Sequence, residues 1–318
     1  MDRNLALEVV RVTEAAALAS ARFMGRGDEA AADAAAVEAM HKLFFDIEFK
    51  GEVVIGEGDK DSVSMLYVGE ELGTGRGPVI EVALDALEGA TTCATGAPNA
   101  IAVIAIAEHG SFLRCPHHIY MDKIAVGPIG KGVVDLDRSV RENLYALAEA
   151  KGVPVQNLTV VVLDRPRHEQ LVGELRRLGT RVKLISDGDL SAALATTRAE
   201  SGIDLLLGIG GAAQGIIAAA ALRCLGGEIQ GRFKPRNQEE ASLLRQVGIE
   251  DWQRKYTAEE MALGNVVFAA TGVTTGDYLE GVRFYKGGAT TNSVVMRSKT
   301  RTVRFMKTFH HFEDQPEC

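Results

Sequence analysis

Apolar positions along this chain recur with two different spacings, and the change between them divides it. In residues 4 to 23, Leu5, Val9, Val10, Thr13, Ala16 and Ala17 fall near a period of 3.6, which predicts a helix. The glycines of "GRG" end it, and Asp28 is placed to cap a second helix through "EAAADAAAVEAMHKLFF". The pattern then shortens. "GEVVIGEGDKDS" reads as a short strand ending in glycine and acid, "MLYVGEEL" as an edge segment, and "GTGRGPVIEVALD" as a turn entering another strand. "NAIAVIAIAEHG" reads as a buried strand that ends in a turn.

From about residue 157 the rhythm changes again. "NLTVVVLD", "RVKLISDGD" and "IDLLLGIGG" read as strands, alternating with helices in "RHEQLVGELRRLG", "LSAALATTRAESG" and "AAQGIIAAAALRCLGG". Strands that alternate with helices predict parallel βαβ units. "ASLLRQVGIEDWQRKYTAEEMAL" reads as mostly helical and polar, and the stretch from Val266 to Phe312 as β-rich. The predicted class is α/β, with a division near residues 150 to 157 into lobes of 1–155 and 156–318.

Composition narrows the function classes. The chain has 318 residues, 46% hydrophobic and 25% charged, as expected for a globular protein with a sizeable core. A net charge of -8 argues against nucleic acid as the main partner and leaves small anionic substrates open. Cys93, Cys115, Cys224 and Cys318 lack metal-finger spacing, so a reduced, cytoplasmic protein is expected. The first residues carry charge without a sustained apolar core, and no apolar run suits a membrane span.

Two segments place carboxylates beside glycine at strand ends: Glu57 in "VVIGEGDKD", and Asp85 with Glu88 in "VALDALEG". Carboxylates delivered from separate segments suit Mg²⁺ or Mn²⁺, and the intervening Leu87 carbonyl can face the same ion. Solvated loop acids are the alternative. Asp33 lies inside an alanine-rich helix, where Asp is a poor former, and spacing alone favours an exposed helix acid there.

Anion chemistry gathers in the second half. "DRPRHE" puts Arg165, Arg167 and His168 between a strand and a helix, where anions dock in parallel α/β units. "GIGGAAQG" offers backbone N–H groups at a helix start but lacks the ending of a nucleotide-binding phosphate loop. Asp187 and Asp189 in "SDGDL" suit sugar hydroxyls or a helix cap.

Taken in order, "GRGDEAAAD", "VVIGEGDKD", "MLYVGEELGTGRG", "LDALEG", "PNAIAVIAIA", "YMDKIAVGP", "RPRH", "DGD", "GIGGAAQG", "FAATGVTTGDYLEGV" and "SKTRTVR" resemble the class II fructose-1,6-bisphosphatases, the GlpX family. The resemblance runs from about residue 3 to 305. It implies the layered α-β-α-β-α sandwich of the lithium-sensitive, metal-dependent sugar phosphatases, and a homodimer or homotetramer. It implies Asp33, Glu57, Asp85, Glu88 and the Leu87 carbonyl as ligands of Mg²⁺ or Mn²⁺, with Gln214 at a further ligand position. Asp61 matches an acid that helps activate water, beside Glu57. Gly89, Tyr120, Arg165, Arg167, Asp187, Asp189 and Gly211 match residues that hold the sugar bisphosphate.

The chain also departs from that family. The acid-pair motif of the family reads Asp-Pro-x-Glu-Gly-Thr, where this chain has Ala86 and Ala90. Ala90 removes a hydroxyl that orients the attacking water. Gln214 stands where the family has a metal-binding Glu, and Glu29 where it has a Lys. "PHHIY" carries an extra residue before Tyr120, leaving His117 and His118 on a loop. Three functions fit the residues: a divergent metal-dependent sugar-phosphate phosphatase, an isomerase or epimerase on the same fold, and a catalytically silent regulatory paralogue.

Overall fold

A computed structural model describes residues 5–312, so Asn4 and Cys318 lie outside the described residues. The chain opens with α1 (Leu5–Ser20), closed by a short 3₁₀ turn, and α2 (Glu29–Phe44). Asp28 caps α2 as its position predicts, its side chain accepting the Ala31 N–H at 2.9 Å. Then come β1 (Lys50–Ile55), β2 (Glu71–Leu72), β3 (Val79–Glu88), the single-turn-and-a-half α3 (Ala90–Thr95) and β4 (Ile101–Glu108). The middle of the chain forms β5 (Tyr120–Val126), α4 (Val140–Lys151), β6 (Thr159–Leu163), α5 (Glu169–Arg177), β7 (Arg181–Ile185), α6 (Asp189–Ala195), β8 (Leu205–Gly211), α7 (Ala212–Leu225), β9 (Glu228–Phe233), α8 (Gln238–Gln246), β10 (Tyr256–Thr257) and α9 (Ala258–Met261). The last stretch is β11 (Val266–Gly272), β12 (Arg283–Tyr285), β13 (Gly288–Arg297) and β14 (Thr302–His311).

Two compact units result: one of residues 1–106, 267–297 and 302–318, the other of 107–266 and 298–301. The chain leaves the first unit near the end of β4 and returns at the start of β11, so the division falls at 106/107 and 266/267 rather than near 155. The expected boundary missed this because the returning β11–β14 segment belongs, by strand pairing, to the sheet begun by β1, β3 and β4.

Among the described residues the first unit holds an eight-stranded sheet, ordered β12-β13-β11-β4-β3-β1-β2 with β14 on the far edge of β13. β1 and β3 run parallel, while β13 is antiparallel to β11, β12 and β14. α1 and α2 pack on one another and on β3 and β13. Their core includes Val9, Val12, Ala16, Met40 and Phe44 from the helices, and Val53, Val82, Ile104 and Val295 from the sheet. The segment "MLYVGEEL", expected as an edge strand, contributes only the two residues of β2. It is otherwise a loop, pinned where the Glu57 N–H donates to the Leu66 carbonyl at 3.0 Å and Glu70 accepts the Leu66 N–H at 2.5 Å.

The second unit's sheet runs β10-β9-β5-β8-β6-β7. The predicted parallel βαβ units are present in β7, β6 and β8, but β5 is antiparallel to β8 and β9, so the sheet is mixed. Ile124, Val126, Val160, Val162, Leu205 and Leu207 alternate along three strands and pack with Leu144, Leu147 and Leu175 of α4 and α5. α6 and α7 pack against β8 as well, α6 also against β6 and α7 against β5 and β9. The polar stretch expected to be mostly helical keeps only α8 and α9, separated by turns around Ile249–Lys255. No helix among the described residues is long and apolar enough to cross a membrane. The architecture is mixed α/β.

Candidate active site

In the first unit the predicted acids come from three elements. Asp33 lies in the second turn of α2, Glu57 follows β1 after Gly56, and Asp85 and Glu88 are in the last turn of residues of β3. The Glu57 carboxyl is enclosed, and burial first, then the negative charges of Asp85 and Asp33, push it up to about 8. Burial raises Asp33 as well. Glu57, Asp85 and Asp33 therefore share one electrostatic field. Glu88 and Leu87 are buried.

Hard carboxylate oxygens that raise one another's pKa are the set that Mg²⁺ or Mn²⁺ neutralises, and in that respect the residues fit. Among the described residues, no three His, Cys, Asp or Glu side chains already converge as a closed ligand cage. The rings of His117 and His118 meet edge to face, with centroids 3.7 Å apart and planes 64° apart, and His118 takes a left-handed φ of 65°.

Ala86, chemically mute in the sequence, has a role through its backbone. Its N–H donates to Glu57 Oε1 at 2.9 Å, and this bond opposes the upward shift of the Glu57 carboxyl. A proline at that position has no N–H to give. The link from β3 to Glu57 therefore depends on a residue other than proline at position 86.

Ala90 is the first residue of α3, entered through Gly89, whose φ of 93° suits glycine. Thr92 does not restore the missing hydroxyl. Thr92 is buried and donates its hydroxyl to the Gly89 carbonyl at 2.7 Å, which fixes the turn. Thr91 is half-buried one residue along, and Asp61 is exposed on the turn that Ser62 closes through Asp59. Glu29 is exposed at the first position of α2.

In the second unit the strand ends bring the predicted anion ligands together. Arg167 donates Nε and Nη2 to the Ile209 carbonyl, at 3.1 and 2.8 Å, and its Cζ lies 4.7 Å from the centroid of the Tyr120 ring. His168 fixes that geometry. It is buried, its Nδ1 lies 2.7 Å from the Leu163 carbonyl, and its Nε2 accepts the Ile209 N–H at 2.8 Å. Nδ1 is therefore the protonated nitrogen of a neutral ring, and burial lowers its pKa accordingly. Arg165 donates to the Asp164 carbonyl at 3.0 Å and is otherwise exposed.

Asp187 Oδ1 accepts the Gly188 N–H at 3.0 Å. Asp189 does not cap α6; Gly188 holds the cap position and Asp189 is the first helical residue. Its Oδ2 is bound at 2.6 Å by the ammonium of Lys123, which also donates to the Gly211 carbonyl at 2.9 Å. Both side chains of the pair are buried. Only glycine suits position 210, because a Cβ there would sit 1.9 Å from Asp189 Oδ2. The Gln214 amide oxygen folds back on Gly211, 2.0 Å from where a Cβ would stand.

Two residues escaped the sequence reading. Lys123, in "YMDKIAV", carries a charge in a strand otherwise apolar from Ile124 to Val126; that charge inside a strand was the available signal. Arg236 lies with its Cζ 4.8 Å from the Tyr120 centroid, and nothing in the local sequence marks it.

Comparison with known proteins gives a consistent result. The family model of bacterial fructose-1,6-bisphosphatase, glpX-encoded, matches residues 3–310. A D-fructose 1,6-bisphosphatase class 2/sedoheptulose 1,7-bisphosphatase of Synechococcus elongatus is 44% identical, over 99% of this chain and 98% of that protein. The protein of the same name from Synechococcus sp. (strain JA-3-3Ab) is 45% identical over 99% and 98%.

Proposed function

The chain belongs to the glpX-encoded bacterial fructose-1,6-bisphosphatase family, and we propose that it is a metal-dependent sugar-bisphosphate phosphatase acting on fructose 1,6-bisphosphate, sedoheptulose 1,7-bisphosphate or both. What carries this reading is the match of residues 3–310 to the family model, with relatives 44 and 45% identical over nearly the whole chain; the enclosed Glu57 carboxyl beside Asp85 and Asp33 accords with it. We assign Asp33, Glu57, Asp85, Glu88 and the Leu87 carbonyl to Mg²⁺ or Mn²⁺. A divalent ion bound by these groups supplies positive charge to the phosphoryl oxygens and acidity to water.

Hydrolysis breaks the bond between phosphorus and the sugar oxygen while water's oxygen joins phosphorus. Without a hydroxyl at Ala90, the water proton goes to a carboxylate, and Asp61 is the acid assigned to take it; the departing sugar oxygen takes a proton from solvent and leaves as the hydroxyl. Arg165 and Arg167 neutralise phosphate oxygens. Arg167 arrives already oriented, since its bonds to the Ile209 carbonyl leave Nη1 free of that task. Within the second unit, Tyr120, Asp187 and Gly211 are assigned to the sugar phosphate with these arginines, and within the first unit Gly89 is assigned to substrate beside the acid pair. Asp189 acts from inside its pair with Lys123, as a fixed acceptor for a sugar hydroxyl.

We further assign a cytoplasmic setting, where thiols such as the buried Cys93, Cys115 and Cys224 stay reduced, and a homodimer or homotetramer. The edge strand β14, with Phe305 and Phe309 exposed, offers an apolar face for such assembly.

The test is phosphate release from sugar mono- and bisphosphates with Mg²⁺ or Mn²⁺, in the wild type and in Asp85→Ala. Release that Asp85→Ala abolishes supports the reading. No release from any of them with either ion refutes it, and a rearranged sugar phosphate in the products would point to an isomerase instead.

A further inference from the structure

We propose that Arg236 is a further substrate-anchoring residue, gripping the phosphate that is not cleaved and so selecting bisphosphates over monophosphates; the proposal rests on the phosphatase reading above. Arg236 lies in the turn between β9 and α8. Its Cζ is 4.8 Å from the Tyr120 ring centroid, while that of Arg167 is 4.7 Å from the same centroid. Two guanidinium groups thus flank one aromatic ring.

The turn is fixed in place from several sides. The Lys234 N–H donates to the Tyr120 carbonyl at 2.8 Å, which ties the segment to the start of β5. Arg236 donates its backbone N–H and its Nε to Glu240, at 2.7 and 2.6 Å, and Nη2 pairs with the same carboxylate. Nη2 also reaches the His118 carbonyl at 3.5 Å, inside the loop that carries the extra residue. Glu240 is buried in its turn, accepted into the first turn of α8 that Asn237 caps. Arg236 is consequently pre-oriented yet half exposed, with a side-chain accessibility of 51%. Nη1 makes no hydrogen bond among the described residues.

Charge decides what this arrangement binds. Among the described residues Arg165 and Arg167 bond only to backbone carbonyls, so their charges are not matched by carboxylates. Arg236 adds the N–H groups of Nη1, on a guanidinium held in place by Glu240. Arg165 and Arg167 supply positive charge that no carboxylate offsets, and Arg236 supplies directed donors on the same Tyr120 ring as Arg167. Two guanidinium groups on one aromatic ring recognise a phosphate dianion by geometry as well as by charge.

The experiment compares Arg236→Ala, Arg236→Lys and Glu240→Gln with the wild type, in steady-state turnover of fructose 1,6-bisphosphate with Mn²⁺. Arg236→Ala should raise KM roughly 10- to 100-fold, the loss of hydrogen bonds to a charged group, with kcat within about threefold. Arg236→Lys should recover part of that loss, and Glu240→Gln, which keeps the guanidinium, should stay within about threefold of wild type. A KM unchanged in Arg236→Ala overturns the proposal. So does a fall in kcat at unchanged KM, or a Glu240→Gln loss equal to that of Arg236→Ala, which would make Arg236 only a partner for Glu240. If the wild type releases no phosphate, the phosphatase reading has failed by itself. Calorimetric Kd values for fructose 1,6-bisphosphate in the same four proteins then decide Arg236 by the same criteria.

Discussion

Replacing Ala86 by proline removes one donor from one carboxylate, and its cost should depend on pH. The Ala86 N–H lies 2.9 Å from Glu57 Oε1 and opposes the rise that burial, Asp85 and Asp33 impose on that carboxyl. Without it the folded pKa climbs further above about 8. An acid whose folded pKa lies above its unfolded value favours folding most when protonated. Its contribution is fully present below the unfolded pKa and is lost as pH rises through the folded one. The wild-type metal-free protein should therefore lose stability between about pH 4.5 and 8. If losing the bond moves the carboxyl by about one further unit, worth ~1.4 kcal/mol when fully ionised, the variant should pay ~1 kcal/mol more at about pH 9 and nothing extra near pH 6.5. Proline's own effects on the strand and the unfolded chain do not depend on pH, so they cancel in that difference. Urea unfolding of metal-free wild type and Ala86→Pro at the two pH values measures it. An equal cost of the substitution at both would refute the claim that the Ala86 N–H serves the ionised Glu57.

Three other outcomes are expected. Mn²⁺ should raise the melting temperature of the metal-free wild type, by ~2.7 kcal/mol of stability at a hundredfold excess over Kd, and Asp85→Ala should abolish the rise; a rise that survives the substitution places the ion elsewhere. Ala90→Thr together with Gln214→Glu should raise kcat for bisphosphate hydrolysis by ~10²-fold or more through the restored hydroxyl and charge, and an unchanged kcat would show that the two positions do not limit the chemistry. Lys123→Met should destabilise the protein by ~3–5 kcal/mol in urea, because it strands the Asp189 carboxylate in a buried site, whereas Lys123→Met with Asp189→Leu should cost less; equal losses would mean that the charge pair is not what holds this region.

What was legible in the sequence was local. Asp28 capped α2, glycine and acid marked the ends of β1 and β3, and alternation marked β6, β7 and β8. Each of these signals lies within a few residues of its consequence. The features that escaped are long-range. Lys123 finds Asp189 across 66 positions, and Arg236 reaches Tyr120 and the His118 carbonyl through a turn that belongs to another strand. The antiparallel placement of β5 depends on β9 arriving beside it, and the return of β11–β14 depends on strand pairing. Residue types along the chain carry none of this. Ala86 stands out in the sequence as a departure from the family motif, but what it does is not legible there: the group that matters is a backbone N–H, which every residue but proline has, and its partner Glu57 lies 29 positions away.

The two alanines of the acid-pair motif then act in opposite directions. Ala90 withdraws a hydroxyl, and Thr92 does not replace it, because it spends its own on the Gly89 carbonyl at 2.7 Å. Ala86 supplies a donor, and that donor goes to Glu57, the acid on which burial and two like charges weigh. A bond to the ionised form eases deprotonation of Glu57, and so favours a bound cation over a bound proton at neutral pH. On the proposed metal assignment, substitution at 86 bears on occupancy of the site, and substitution at 90 on the step that follows. The two should separate in experiment: Ala86→Pro in the dependence of rate on Mn²⁺ concentration, Ala90→Thr in the rate at saturating Mn²⁺. A variant at 86 that lowers the saturated rate and leaves the Mn²⁺ dependence unchanged would mean that the Glu57 bond serves the chemistry and not the ion.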